Sequence, residues 1–482
     1  MRMRRIWIII AGALALGACA GIDHRPWRLG DQSGNDTQKY SLRFIESDDE
    51  GWFWDRQQAL DAVQLIRDKV HERPTLVVTF VHGWHHSAEC CDGNVEGFRR
   101  TLETLSTLLN VRSAQDFNIV GLYIGWRGQS LPMPLDYFTF WGRKSAAERV
   151  GQNDMKEFLA RLQQLYAEFR PDVATWRRPH AEPPADGHFL GMITVGHSFG
   201  AQVLLKAVAG SLEDRLQNLN PNPAYLRDAP IVEGPQLSYN VLGVGDLMVL
   251  INPAVEASQY HRLYILSQGL KYSSLQTPII LTLSAENDKS RHRLFTFGRV
   301  LGEFFGGKPQ KDDEIERTVE RQALGVYPGH VTHRLVPVRS DVELVATTEA
   351  GSDRDCRNAG SCDFDWLRWG DNTRSPQATC DFDTDDTPSI DFSRTTICND
   401  VKLERLTPAI IEEWEENPSL YGKAQDYQPL IVARVSSEII DDHSGIFTTP
   451  LLEFLAPYIT AIELKSQANV QRNRRNRTDA AR

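Results

Sequence analysis

Six short apolar runs, separated by stretches of helical periodicity, constrain this chain more than any other feature. Thr75-Leu-Val-Val-Thr-Phe-Val81 and Asn118-Ile-Val-Gly-Leu-Tyr-Ile-Gly-Trp126 lack polar alternation, so each predicts a strand buried on both faces. Further strands are expected over 189–195, 247–252, 278–283 and 430–435. Between the first two runs, Val95, Phe98, Leu102, Leu105, Leu108 and Leu109 recur at three- and four-residue spacing, which marks one face of a helix. Helical patterns also cover 146–169, 201–212, 260–270 and 450–464. Strands alternating with helices predict an α/β fold: a mostly parallel sheet with helices on both faces.

The alternation breaks over 308–426, where turn residues, acidic clusters and four cysteines replace sustained periodicity. That stretch reads as a Cys-rich insertion before the last strand. The expected organisation is a signal segment at 1–18, an N-terminal segment with the first strands at 19–74 and a core at 75–307. The insertion at 308–426, the last strand and helix at 427–465 and a basic, frayed tail at 466–482 complete it.

The chain opens with Arg2, Arg4 and Arg5 ahead of an apolar run over 6–18, too short for a comfortable membrane span and laid out like a secretory signal. Leu16-Gly-Ala-Cys19 resembles a bacterial lipobox, which implies lipidated Cys19 as the mature first residue. Ala20 follows where an inner-membrane retention signal would be Asp, so the resemblance implies the periplasmic face of the outer membrane. Over the full chain, 41% hydrophobic and 24% charged residues make an ordinary globular composition. A net charge of −11 argues against nucleic acid, because binding a polyanion needs a basic face. Gln471-Arg-Asn-Arg-Arg-Asn-Arg477 is the local exception and reads as a solvated end.

Besides Cys19 there are Cys90, Cys91, Cys356, Cys362, Cys380 and Cys398, an even number that suggests disulfides in an exported chain. Proximity favours Cys356 with Cys362 and Cys380 with Cys398. Vicinal Cys90 and Cys91 can pair with each other, pair elsewhere or stay reduced.

Gly196-His-Ser-Phe-Gly200 lies between an expected strand and a helix whose Val203, Leu204, Ala207 and Val208 form one face. A tight strand-to-helix turn exposes the serine Oγ and needs small residues where strand and helix crowd together. On this placement the chain resembles the α/β-hydrolase superfamily of serine hydrolases over 76–305 and 430–464. The resemblance implies a triad in the chain order nucleophile, acid, histidine. Ser198 is the expected nucleophile. Asp288, in the loop after the 278–283 strand, is the expected acid, with Glu256 one strand earlier as the alternative. His443, between the last strand and the last helix, is the expected base, with His330 and His333 as rivals. Val81-His-Gly-Trp84 is similar to the family's His-Gly loop, which implies the backbone N–H groups of Trp84 and Phe199 as oxyanion donors.

Two metal readings compete for attention and fit poorly. His82, His85, His86, Cys90 and Cys91 match no usual zinc spacing. Asp381, Asp383 and Asp385 begin like a calcium loop, but Asp386 replaces the turn glycine and Phe392 the bidentate glutamate. The apolar loop Ser130–Trp141, with two prolines and four aromatic residues, can line an acyl pocket, act as a lid or fold on its own core. The expectation is a lipid-anchored serine hydrolase, esterase or lipase-like, that needs no cofactor and takes a small-molecule or lipid ester. The alternative is an inactive envelope scaffold that binds a partner through the insertion.

Overall fold

The computed structural model describes residues 26–28, 30, 34–113, 116–128, 140–170, 189–219, 239–288, 314–338, 380–382, 390–413 and 416–480. Its strands are β1 (Gly34–Asp36), β2 (Ser41–Ser47), β3 (Thr75–Val81), β4 (Asn118–Trp126), β5 (Leu190–His197) and β6 (Leu247–Ile251). They continue with β7 (Ile280–Ala285), β8 (His333–Pro337), β9 (Cys380–Phe382), β10 (Thr396–Cys398), β11 (Val401–Arg405) and β12 (Leu430–Val435). The helices are α1 (Arg56–Glu72), α2 (Gly93–Arg112), α3 (Phe140–Gln152), α4 (Asp154–Phe169) and α5 (Phe199–Leu219). After them come α6 (Ala257–Gln268), α7 (Glu314–Arg321), α8 (Pro408–Glu412) and α9 (Thr449–Ala480).

One twelve-stranded sheet runs in the order β1-β2-β4-β3-β5-β6-β7-β12-β8-β11-β10-β9. From β2 through β12 to β8 every pairing is parallel. The apolar runs of β3 and β4 are buried at every position, as strands covered on both faces must be. Alternate residues feed two cores. Val77 and Val81 point toward α1, α3, α4, α5 and α6, while Leu76, Val78 and Phe80 point toward α2 and α9. The mostly parallel α/β architecture expected from the sequence is therefore present.

Three expectations need correction. The described parts of 308–426, expected as an insertion without sustained periodicity, carry strands of the central sheet: β8 pairs with β12, and β11, β10 and β9 extend the same sheet antiparallel. Strands of three to five residues at a sheet edge, half of whose side chains face outward, leave no long apolar run to read. Yet Phe392, Cys398, Val401 and Leu403 join the core beneath α9. Cys380 and Cys398 stand opposite each other in the β9–β10 register and form a disulfide. The Cys356–Cys362 pairing and Cys19 lie outside the described residues.

The second correction concerns the tail, which is helical through Ala480 instead of frayed from residue 466. Extending a helix already docked by Leu451, Phe454 and Tyr458 avoids the cost of nucleation. Third, the pattern over 146–169 is two helices. Asn153 breaks the path, where Asp154 N–H donates to Gly51 O (3.1 Å) and Asn153 Nδ2 to Glu50 O (2.6 Å). Gly51, at φ +88°, has no room for a side chain beside the Arg149 carbonyl.

Candidate active site

In a parallel sheet all carboxyl ends open on one rim, and a crevice forms where the strand order reverses. Here β4 lies on one side of β3 and β5 on the other, so the reversal falls between β3 and β5. Val81 pairs with Gly196, which sends His82-Gly83-Trp84 and His197-Ser198 out of adjacent strands side by side. Gly83 permits this approach, because a Cβ there would sit 2.7 Å from the Ser198 Cβ.

Ser198 links β5 to α5 with φ +54°, a left-handed geometry that costs a non-glycine residue about 1–3 kcal/mol. Surrounding bonds hold it there. Its N–H donates to Ile251 O (3.0 Å), and its carbonyl accepts from Ala201 N–H and Ala254 N–H (both 3.1 Å). A Cβ on Gly200 would run into the Val81 carbonyl, and one on Gly196 would lie 2.7 Å from Ala201 Cα. The glycines that frame the serine are thus demanded by close backbone approach.

His443 follows β12 and Asp288 follows β7, two strands that pair through Ala285 and Val435. Ser198 Oγ lies 2.7 Å from His443 Nε2, and His443 Nδ1 lies 2.7 Å from Asp288 Oδ2. Asp288 is fully buried and Ser198 nearly so, while the His443 side chain keeps 19% exposure. The three residues expected from the sequence are brought together. In the resting arrangement Ser198 O–H donates to Nε2, and Nδ1–H donates to the carboxylate.

Two residues not foreseen in the sequence fix the histidine. Asn252, at φ +45° just beyond β6, donates from Nδ2 to the carbonyls of His443 (2.9 Å) and Asp442 (3.2 Å). Its Oδ1 accepts from Ala285 N–H (2.8 Å), so one side chain ties the loop that carries His443 to the end of β7. His197 lies 2.9 Å from the same His443 carbonyl through Nε2. Burial, reinforced by the neighbouring His443, pushes His197 well below the usual histidine range. The neutral ring donates from Nε2 and keeps Nδ1 buried with no hydrogen-bond partner. The only sequence signal was position: an Asn ending a buried strand and a His beside the serine.

His82 organises the opposite wall. It lies flat on Trp126 with ring centroids 5.7 Å apart, and its Nε2 accepts from Trp126 N–H (3.0 Å). Its Nδ1–H donates to Gly83 O (2.9 Å), and the Trp126 indole donates to His82 O (2.9 Å). Burial lowers His82 to about 4, which keeps it neutral in this role. Trp84 follows in the same loop, and Phe199 opens α5, where N–H groups have no intrahelical acceptor. The two expected donors therefore belong to the segments that leave the paired strands β3 and β5. Phe140 packs between their rings, 5.2 Å from Trp84 and 5.1 Å from Phe199. Residues 130–139 of the apolar loop lie outside the described residues.

The alternatives are engaged elsewhere. Glu256 forms an ion pair with Lys144 and accepts from Gln259 Nε2 (2.8 Å). His330 meets His261 (2.9 Å), and His333 meets Ser393 O (2.8 Å). His86 is held by Asp92 (3.1 Å), which also caps α2. Cys90 is disulfide-bonded and Cys91 keeps its thiol, so the vicinal bond is not formed. Among the described residues no group of three or more His, Cys, Asp or Glu side chains is arranged to hold a metal ion. Asp383, Asp385 and Asp386 lie outside them.

Comparison of the chain with protein-family models, curated proteins and solved structures finds no match. The functional reading rests on the geometry.

Proposed function

We propose that this protein is a serine hydrolase of the α/β-hydrolase kind, acting on carboxylic esters through an acyl-enzyme. The observation that carries the reading is the continuous relay from Ser198 Oγ through His443 to buried Asp288, with both links at 2.7 Å. A hydroxyl alone is a weak nucleophile at neutral pH, and an adjacent imidazole within hydrogen-bond reach activates it.

In the proposed cycle Ser198 Oγ attacks the ester carbonyl carbon as His443 Nε2 takes its proton. Asp288 holds Nδ1–H and stabilises the imidazolium that results. The oxyanion is met by the N–H groups of Trp84 and Phe199, where loss of one donor typically costs about 3 kcal/mol of transition-state stabilisation. Collapse breaks the bond to the alcohol, which leaves with the proton from His443. Water then attacks the acyl-serine with His443 again as base, releasing the acid and restoring Ser198. Asn252 and His197 would serve as positioning residues, fixing the His443 backbone so that its ring meets both neighbours.

The resemblance of Leu16–Cys19 to a lipobox supports a place at the cell envelope, with Cys19 as the acylated residue of this reading; the described helices include none long and apolar enough to cross a membrane. The test is a series of nitrophenyl esters of increasing acyl length. The reading expects turnover that Ser198→Ala abolishes; a folded chain that hydrolyses none of them contradicts it.

A further inference from the structure

Among the described residues eight large apolar side chains stand exposed, and four of them, Trp27, Trp52, Trp54 and Leu60, come from the segments flanking β2. The three indoles are 47%, 49% and 45% exposed. Tryptophan is normally well covered, so three half-exposed indoles in one neighbourhood mark an interaction surface.

The local structure holds them together. Phe53 is buried and pairs with Ser47, so alternation along the extended segment sends Trp52 and Trp54 to the opposite side from the core. Trp54 N–H donates to Glu46 O (2.9 Å), while Trp27 N–H and Arg28 N–H donate to the Glu46 carboxylate (3.0 and 2.6 Å). One residue of β2 therefore anchors both tryptophan segments. Leu60 stands on the first turns of α1, which begins immediately after them.

This surface shares the catalytic rim. β2 runs parallel to β4, so the segment after Ser47 emerges at the same end as Ser198. Asp49 in that segment binds Arg143 (2.7 Å) and also Arg127, which follows β4. A Cβ on the next residue, Gly128, would lie 2.6 Å from Gly83 O beside the nucleophile.

The charged groups around the indoles are engaged locally. Asp48 accepts from Glu50 N–H and Trp52 N–H (both 2.9 Å), Glu50 pairs with Arg149 (3.2 Å), and Asp55 caps α1. Arg56 pairs with Asp154 (3.1 Å) and covers the Trp52 ring. No basic cluster is assembled there among the described residues, so a polyanion is a poor occupant. Half-buried indoles suit the headgroup region of a bilayer, where an apolar ring and a polar N–H are both satisfied. The position in the chain points the same way. Cys19 precedes Trp27 by 27 − 19 = 8 residues, which span at most about 28 Å when extended.

We infer that Trp27, Trp52 and Trp54 form a footing on a zwitterionic phospholipid surface that turns the catalytic rim toward the bilayer, making membrane lipid esters the substrate class. The substrate part rests on the hydrolase reading and the choice of a bilayer draws on the proposed lipid anchor at Cys19, whereas the exposed indoles rest on neither.

The test reconstitutes the full chain into phosphatidylethanolamine–phosphatidylcholine vesicles with brominated acyl chains and compares tryptophan emission with that of the Trp27→Ser, Trp52→Ser, Trp54→Ser triple variant. Leu275→Ser with Leu420→Ser serves as the control for exposed apolar groups elsewhere. The footing predicts bromine quenching in the native and control chains and its loss in the triple variant. It further predicts at least a tenfold fall in turnover of bilayer lipid ester, with turnover of a soluble short-chain ester unchanged. Absence of quenching in the native chain, or equal quenching in the triple variant, overturns the footing. So does a dimer in detergent that the triple variant dissolves, which would assign the surface to a second copy. If quenching behaves as predicted while no ester of either kind is hydrolysed, the hydrolase reading and its lipid substrate fall and the footing stands.

Discussion

His443 and Asp288 lie 155 residues apart in the chain yet meet at 2.7 Å, because β12 and β7 are paired neighbours whose carboxyl ends each carry one of them. The carboxylate is wholly buried, so its role is tied to the imidazole it faces. Asp288→Asn keeps the shape but favours the wrong tautomer, and kcat for ester hydrolysis is expected to fall about 10,000-fold. Glu256→Gln, in contrast, breaks the Lys144 pair and is expected to lower the unfolding midpoint while leaving kcat within a few-fold. Steady-state kinetics beside denaturant melts of both variants separates the two carboxylates.

Asn252 supplies the test of positioning. Asn252→Ala removes both bonds to the histidine loop and the bond to Ala285. The expected result is a roughly 10- to 100-fold drop in kcat with little change in KM, the cost of a slightly misplaced base. An equal drop in folded fraction with normal kcat per folded molecule would make the residue purely structural.

Gly83→Ala sets a Cβ 2.7 Å from the Ser198 Cβ. Either the His-Gly loop or the serine turn must move, and both carry proposed catalytic groups. Ester turnover is expected to fall at least 100-fold, while the far-UV dichroism of the parallel sheet is retained.

Buried neutral histidines predict acid lability. His82 and His333 are each lowered to about 4, mainly by burial, against about 6.5 when unfolded. As pH falls from 6.5 toward 4 the unfolded chain takes up protons that the folded chain refuses. The contribution of these two residues to stability is therefore complete above pH 6.5 and declines below it, by up to about 3 kcal/mol per residue. Urea midpoints measured from pH 7.5 to 4.5 should fall, and His333→Gln should shallow the slope.

Glu463 predicts the opposite slope. It is fully buried, neither carboxylate oxygen has a hydrogen-bond partner among the described residues, and burial together with Asp246 raises it well above the usual range. Above the unfolded value near 4.5 the folded chain must keep a proton that the unfolded chain releases, so stability declines as pH rises. Glu463→Gln should raise the urea midpoint at pH 8 and leave it nearly unchanged at pH 4.5.

The central strands were legible because burial on both faces imposes continuous apolar runs, and β3, β4 and β12 fall on the residues expected. The positions of Ser198, Asp288 and His443 were legible because each lies in the turn or loop that leaves such a strand. The short strands β8 to β11 were hidden by their length, and α1 by its polar face, where Gln57, Gln64 and Asp68 make surface hydrogen bonds. Asn252, His197 and His82 were hidden for another reason. Their work is to hold backbone groups of residues up to 246 positions away, which leaves no local pattern.

The most direct measurement is covalent labelling of the folded, full-length protein with a fluorophosphonate, with the modified residue located by mass spectrometry beside Ser198→Ala and His443→Ala. The account predicts a single adduct on Ser198, absent from the first variant and slowed at least 1,000-fold in the second. A folded protein that stays unlabelled, or one labelled on Ser198 as fast without His443 as with it, would contradict the relay and leave the fold as a scaffold.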